Sequence, residues 1–586
     1  MLTQRHNQRF IRSACIVLAL LLILTTPALA AFTPSNGQAA RLVLGQVDFD
    51  NVGADTTQYM MNNPSAVAVD SATRKVFVAD TANCRVLRFA SIYALNNGAT
   101  AEAVLGQPNF TSKTYRTTQY GMSYPRSVFV DSGGRLWVVD TDNNRVLRFD
   151  HAATLSNGAN ANGVLGQPNF TTKDNYFTNQ YGLSGPIGVF VDASGRLWVG
   201  DSFNNRVLRF NNAATKANGA AADGVLGQPN FTSRGYATSQ KSMSYPLALA
   251  VDASGRLWLA DSNNNRVLRF DNAATKANGA NADGVLGQRN FTSSSYFTTR
   301  AGMGGTTGVA IDIANGRLYV SDYGNNRILV FNGAAGLANG ASASYVLGQK
   351  DFTTGTANTG GVSATTLAEP NNIFYDQAAK VLWVADTYNN RVLVYGSPFT
   401  TISSTSTAAY DGWVLESAAA SHVGGSLGAT GTLRLGDNAS NRQFRSILSF
   451  NTAALPDNAV IHSVTLKIKK AGALGTDPLT SNALGALLAD IKKGSFGASA
   501  LELGDFQATA SASAIGHFTA IGNGWYQVVL PASKFTDVNL SGLTQFRLRF
   551  STASNNNHVS DYDSFYAGDA TTATDRPVLT VQYYLP

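Results

Sequence analysis

The 586-residue chain has two cysteines. Cys15 lies near the start, and Cys84 otherwise stands alone, so once the leader is removed no intrachain disulfide is available. Histidine is as scarce, with six in all. Between residues 32 and 396 the chain holds one histidine, His151, and two glutamates, Glu102 and Glu369. That excludes a zinc centre of converging histidines there. A calcium site built from a Glu/Asn/Asp set of several blades has Glu369 as its only glutamate near a blade entry, and most of the plentiful aspartates belong to the repeat. The same stretch has no Gly-x-Ser-x-Gly motif and no Gly-rich phosphate loop after a strand. Charged residues make up 14%, with no Lys/Arg run, and the net charge is +7. Nothing supplies the basic stripe that nucleic acid requires.

Long apolar runs are absent except for Ile16–Leu24, which is too short to span a bilayer. Arg5, Arg9 and Arg12 precede it, and Ala28-Leu29-Ala30 follows as a small-x-small cleavage site. Residues 1–31 therefore read as a secretory signal peptide. The expected mature chain is secreted, extracellular and free of membrane spans. Loss of the three arginines brings its charge to about +4.

What is abundant is repetition. The stretch Asp201-Ser-Phe-Asn-Asn-Arg206-Val-Leu-Arg-Phe210 has counterparts beginning at Asp80, Asp140, Asp261, Asp322 and Asp386, at intervals of 60, 61, 60, 61 and 64 residues. Each unit has an apolar run ending in Asp, a tight turn, a Leu-Trp-Val-like run, the polar Asp-x-x-Asn-x-Arg turn and a Val-Leu-Arg-Phe-like run. After a Gly/Asn/Ala-rich connection, Val-Leu-Gly-Gln closes the unit, as at Val225–Gln228. Short runs rich in Val, Leu, Phe and Trp, bounded by Gly, Asn and Asp, are strands. Four strands per unit and six units make a six-bladed β-propeller. Val-Leu-Gly-Gln also occurs at Val43, before any other part of a unit, and none follows the sixth unit. The expectation is that the Val43 strand completes the last blade and closes the ring.

Asp-x-x-Asn-x-Arg-Val, preceded by Gly-Arg-Leu-Trp-Val, resembles the NHL repeat over residues 40–396. Blade one departs, with Lys75-Val-Phe in place of Arg-Leu-Trp and Cys84 in place of Asn. Blade six departs too, with Lys380-Val-Leu-Trp and a longer approach loop. The resemblance implies a binding platform for protein or RNA, with a few lyases among the relatives. It gives the fold firmly and the function weakly.

Residues 32–396 are thus read as the propeller, 397–409 as a Ser/Thr-rich linker and 410–586 as a β-sandwich of jelly-roll type. In this last part apolar and polar residues alternate cleanly, as in Val464–Lys469, Phe546–Phe550 and Leu579–Tyr583. Leu433–Asp437, Arg445–Phe450, Ile461–Leu466 and Arg576–Val581 resemble the DNRLRE-type sandwich of secreted bacterial proteins. That resemblance implies carbohydrate binding or adhesion. Asp411, Glu416, Asp561, Asp563 and Asp569 flank strand ends and suit either ordinary turns or calcium. Trp413 and Trp525 suit either core or sugar stacking.

Six Asp/Arg pairs recur: Asp80/Arg85, Asp140/Arg145, Asp201/Arg206, Asp261/Arg266, Asp322/Arg327 and Asp386/Arg391. Presence in every unit marks them as structural, each pair stapling its own turn. Asn109, Asn169, Asn230 and Asn290 match the Asn-x-Thr acceptor pattern but recur with the repeat, as turn residues do. The candidate ligand contacts are aromatics of the long crossovers: Tyr115, Tyr120, Tyr124, Tyr176, Phe177, Tyr181, Tyr236, Tyr245, Tyr296 and Phe297. Loops on a rigid scaffold carry binding, and tyrosine presents stiff, amphipathic area. The expected function is non-enzymatic binding of extracellular polysaccharide or protein. The alternative is an exported lyase or lactonase-like hydrolase in the central channel. Glu369, before Pro370, reads as a solvated loop residue.

Overall fold

The computed structural model describes residues 32–174, 178–429 and 431–585. The signal-peptide reading and the contacts expected of Tyr176 and Phe177 lie outside the described residues. Among the described residues no helix is long and apolar enough to cross a membrane. One compact unit runs to Thr401, and a second begins at Ile402.

Residues 64–395 form six four-stranded antiparallel sheets, completed by one strand from the N-terminal side. Blade three is representative: Pro186–Val191 is innermost, followed by Leu197–Asp201, Arg206–Phe210 and Gly224–Leu226 outermost. Both faces of a blade pack on neighbours, which explains strands that are apolar throughout. Trp198, Val207, Leu226 and Leu249 meet in one cluster between blades three and four. Five innermost strands begin with proline, which has no N–H for the ladder, and the register slips just after it. The ring closes as expected: Leu42, Val43 and Leu44 pair with Val394, Leu393 and Val392, and the sixth blade has no open edge.

Pairing registers set the two faces of the disc. Pro186 sits opposite Asp201, and Val191 opposite Leu197. The Asp-x-x-Asn-x-Arg turns therefore share one face with the crossovers that follow Val-Leu-Gly-Gln. The turns between first and second strands lie on the other.

In the second unit the described strands form one curled sheet of thirteen. Its spine is Val460–Leu474, which pairs with Val578–Tyr584 and Trp525–Val529 along its first part. Beyond Lys470 its register shifts and it pairs with Asp561–Tyr566. The sheet folds over an apolar core containing Leu433, Leu448, Val464, Leu466, Phe546 and Phe565. Part of the 397–409 segment is a strand. Thr400–Thr405 is a strand beside Val578–Tyr584, with alternate residues facing inward and Ile402 packed on that core. Three consecutive β-branched residues, Thr400-Thr401-Ile402, favour strand over coil.

Candidate functional site: the crossover face

The crossovers are held by the six Asp/Arg pairs, Asp80/Arg85, Asp140/Arg145, Asp201/Arg206, Asp261/Arg266, Asp322/Arg327 and Asp386/Arg391. Each pair is fully buried, with Arg Nε 2.6 or 2.7 Å from Asp Oδ2. In blade three, Asp201 Oδ2 also accepts from Asn204, and Oδ1 accepts from the Ser184 amide at the end of the incoming crossover. Burial pushes each of the six aspartates above the ordinary carboxylate range, while the guanidinium, the backbone amide and the Asn side chain pull it back. The N–H donors around the carboxylate favour its charged form against that burial.

The guanidinium groups of Arg85, Arg145, Arg206, Arg266, Arg327 and Arg391 reach beyond their own turns. A buried guanidinium has five donors to satisfy, more than one carboxylate can take. In blade three, Arg206 Nη1 donates to the Phe231 carbonyl of the outgoing crossover, and Nη2 to those of Asn179 and Gly182 in the incoming one. Arg85 does the same toward Phe110 on one side and Thr57 and Met60 on the other. Arg145 reaches Phe170, Thr118 and Gly121. Arg266 reaches Phe291, Ser239 and Ser242. Arg327 reaches Phe352, Thr299 and Gly302. Arg391 ties Ser363 and Thr366 to Phe49 at the closure. Each arginine thus joins the crossover before its blade to the one after, and the six are clamps between blades.

A second device fixes where each crossover ends. The residue before each innermost strand is left-handed: Asn63, Tyr124, Gly185, Tyr245, Gly305 and Glu369, with φ between 49° and 64°. Five of their N–H groups donate to an Asn Oδ1 of the preceding blade, as Tyr245 does to Asn205. In blade one Cys84 replaces that Asn, and its sulfur faces the Tyr124 amide. Burial pushes the Cys84 thiol up to about 11, so it stays protonated and unreactive near neutral pH. Bulky residues seldom adopt positive φ. At Tyr124 and Tyr245 the geometry turns the ring onto the crossover face.

There the rings pair. Tyr115 stacks on Tyr124 at 5.5 Å between centroids, with the hydroxyls 3.3 Å apart. That contact pushes the Tyr115 phenol up to about 12. Tyr245 stacks on Phe203 at 5.7 Å. Tyr120 lies half-buried under the Arg116 guanidinium. The Tyr296 hydroxyl donates to the Gly324 carbonyl at 2.6 Å, pinning that crossover to its turn. Tyr115, Tyr181, Tyr236, Tyr296 and Phe297 remain exposed, Tyr236 most of all at 76%. The expected aromatics thus divide into packed rings, Tyr120, Tyr124 and Tyr245, and presented ones.

Sequence reasoning missed three aromatics of the Asp-x-x-Asn-x-Arg turns. Phe203 and Tyr388 are exposed, at 57% and 67%. Tyr323 stands where the other turns have Thr81, Thr141, Ser202, Ser262 and Thr387. Four of those hydroxyls donate to a proline carbonyl of the next blade. Tyr323 instead donates to Glu369 Oε2 at 2.5 Å. Burial and that carboxylate push the Tyr323 phenol up, and Arg126 pulls it back. Glu369 is therefore not simply a solvated loop residue. It is half-buried and hydrogen-bonded on the crossover face. The departure of Tyr323 from the Ser/Thr of its five counterparts was a legible signal.

Asn109 Oδ1 accepts from the amides of Thr111 and Ser112 and from both hydroxyls, and Asn169 and Asn230 hold equivalent turns. In the second unit, Asp411 accepts from the Ser449 and Gly568 amides and Glu416 from those of His422 and Gln443. Asp561 accepts from the Thr476 amide and from Asn555 and Asn557. Lys470 bridges Asp563 and Asp477, and Asp569 accepts from the Gly431 amide. These candidate calcium ligands thus serve donors of their own chain. Among the described residues no group of three or more His, Cys, Asp or Glu side chains is placed to hold a metal ion. The spacing Gly424-Gly-Ser426-Leu-Gly428 lies in a strand paired with Gly412–Glu416, not at the strand-to-helix turn a nucleophilic serine needs.

The fold is a six-bladed β-propeller, and three of its blades carry recognisable NHL repeats. The NHL repeat matches residues 122–149, 243–270 and 307–331, within blades two, four and five. Over 225 residues, 37% of this chain, the sequence is 21% identical to Protein SUPPRESSOR OF QUENCHING 1, chloroplastic, of Arabidopsis thaliana, and spans 20% of that protein's length. Among solved structures, an auxiliary nutrient binding protein from Bacteroides thetaiotaomicron is similar at 11% identity and a TM-score of 0.38, over 60% of this chain and 76% of that one. A virginiamycin B lyase from Staphylococcus aureus is similar at 15% identity and a TM-score of 0.32, over 59% and 97%. Neither structural likeness bears on function.

Proposed function

We propose that this is a secreted, non-enzymatic binding protein whose crossover face takes an extracellular polysaccharide. The observation that carries the reading is the presentation of Tyr115, Tyr181, Tyr236, Tyr296 and Phe297 on one face of a rigid disc. Clamping by buried Asp/Arg pairs means that these rings lose little freedom on binding. Tyrosine offers a flat apolar face to a sugar ring and a hydroxyl to its polar edge. The exposed aromatics offer stacking and neutral hydrogen bonding, chemistry that suits a neutral glycan. The second unit, read as a DNRLRE-type sandwich, serves as an accessory adhesive module. A glycan array with the mature chain tests the reading. Binding of neutral polysaccharides is expected. Silence on the array with capture of a single cell-surface protein would replace it with protein recognition.

The Tyr323–Glu369 hydrogen bond favours one second reading, an exported lyase or hydrolase using the pair for proton transfer. A tyrosine phenol next to a carboxylate can act as an acid–base couple. In that case Glu369→Gln abolishes turnover and leaves glycan binding intact.

A further inference from the structure

The six innermost strands enclose a second feature, unrelated to the crossovers. A chamber of about 330 Å³ occupies the axis of the propeller and reaches the turns between first and second strands, at Ser71, Ser132, Ala193 and Gln377. It therefore opens on the face opposite the crossovers. Toward the crossovers it is closed by small residues packed backbone to backbone. A Cβ on Gly188 would come within 2.0 Å of the Leu247 carbonyl oxygen. At the same level Asn372 of blade six donates to Ser127 Oγ of blade two at 3.3 Å.

The walls are largely apolar, with Ser71, Ser132, Asp376 and Gln377 toward the mouth and Asn372 at the inner end. Each blade contributes Val, Leu or Ile side chains, and at the middle level the blades differ. Blades two, three and six supply Phe129, Phe190 and Phe374; blades four and five supply Ala250 and Ala310, and blade one has Ala68 at the same register, outside the lining. Phe129 and Phe190 lean on each other at 4.6 Å between centroids, and all three phenyl rings are only half-buried. Six phenylalanines would cork the axis, and six alanines would leave an open pore. The actual set leaves a slot between the adjacent rings of blades two and three and the ring of blade six, notched at Ala250 and Ala310.

The charges near the mouth are already paired. Arg74 and Asp376 form an ion pair between blades one and six. Asp192 is bonded to Arg196 and to the Trp198 indole. An ionic ligand entering such a site would lose hydration without gaining a counter-charge. Water inside finds few partners, so an apolar guest displaces it readily.

We propose that this chamber is a binding site for a small, uncharged, apolar ring compound, entering from the face opposite the crossovers. Its size falls within the range of roughly 300–1,000 Å³ usual for small-molecule pockets. The phenyl rings supply stacking, and the Ala250/Ala310 notch sets the width of what fits.

The test uses the full mature chain and the neutral fluorophore N-phenyl-1-naphthylamine. Saturable one-to-one binding is expected, competed by neutral ring compounds such as indole and not by their carboxylated analogues. Ala250→Phe and Ala310→Phe fill the notch and should each weaken binding at least tenfold. Photolabelling of the unaltered chain with phenyl(trifluoromethyl)diazirine keeps the proposal falsifiable if those variants misfold. Label on residues 128–130, 189–191 and 249–251 supports the site. Absence of saturable binding, unchanged affinity in folded filled variants, or label confined to the second unit or the crossover aromatics would overturn it.

Discussion

Val43 pairs directly with Leu393, although 350 residues of chain separate them. That contact turns an open array of blades into a ring. Val43 is fully buried, so Val43→Asp places an uncompensated charge at the seam between first and last blades. The expected loss is several kcal/mol, a large share of a domain's stability. Thermal unfolding should show the propeller transition shifted down by many degrees with the second unit's transition in place. An unshifted propeller transition would mean that the seam is not closed by this strand.

Asp201→Ala leaves Arg206 buried without its carboxylate. Breaking one half of a buried pair costs about 3–5 kcal/mol. Asp261→Ala should cost the same, because Asp261 meets Arg266, Asn264 and the Ser244 amide in the same geometry. Urea unfolding of both variants checks this. If the two losses differ by more than about 1 kcal/mol, the repeated clamp is not the equivalent device described above.

Asp411 gives a pH test in the second unit. Burial pushes its carboxyl up to about 6, despite hydrogen bonds from the Ser449 and Gly568 amides. The folded state therefore binds a proton more tightly than the unfolded chain. Asp411's contribution to stability is greatest below about pH 4 and is lost as pH rises through 6. The difference in unfolding free energy between the unaltered chain and Asp411→Asn should change by roughly 2–3 kcal/mol across that window, in favour of Asn at the higher pH. A difference that does not vary with pH would contradict this.

Blade number, strand order, ring closure and the sharing of one face by turns and crossovers were legible, because a near-identical unit repeats and strands alternate in direction. The reach of the Asp/Arg pairs was not. As a turn acceptor Asp201 would be worth about 1–2 kcal/mol; that its arginine is fully buried and spans two crossovers depends on packing between blades. Thr400–Thr405 was misread because Ser/Thr composition is shared by tethers and edge strands, and only the partner strand at 578–584 decides between them. Tyr323 and Glu369 meet across 46 residues and two blades. No local pattern joins them, although the missing Ser/Thr at position 323 marked the place. The axial chamber depends on which blades carry Phe and which Ala at one level, information that a repeat consensus averages away.

The most direct measurement of the central claim is glycan affinity of a Tyr115→Ser, Tyr181→Ser, Tyr236→Ser triple variant. These rings are more than half exposed, so their loss should leave the melting temperature within a few degrees of the unaltered chain. With stacking worth about 1 kcal/mol per ring, the account predicts affinity for the array-selected polysaccharide reduced about a hundredfold or more. Retention of full affinity by the folded triple variant would contradict it and move recognition off the crossover face.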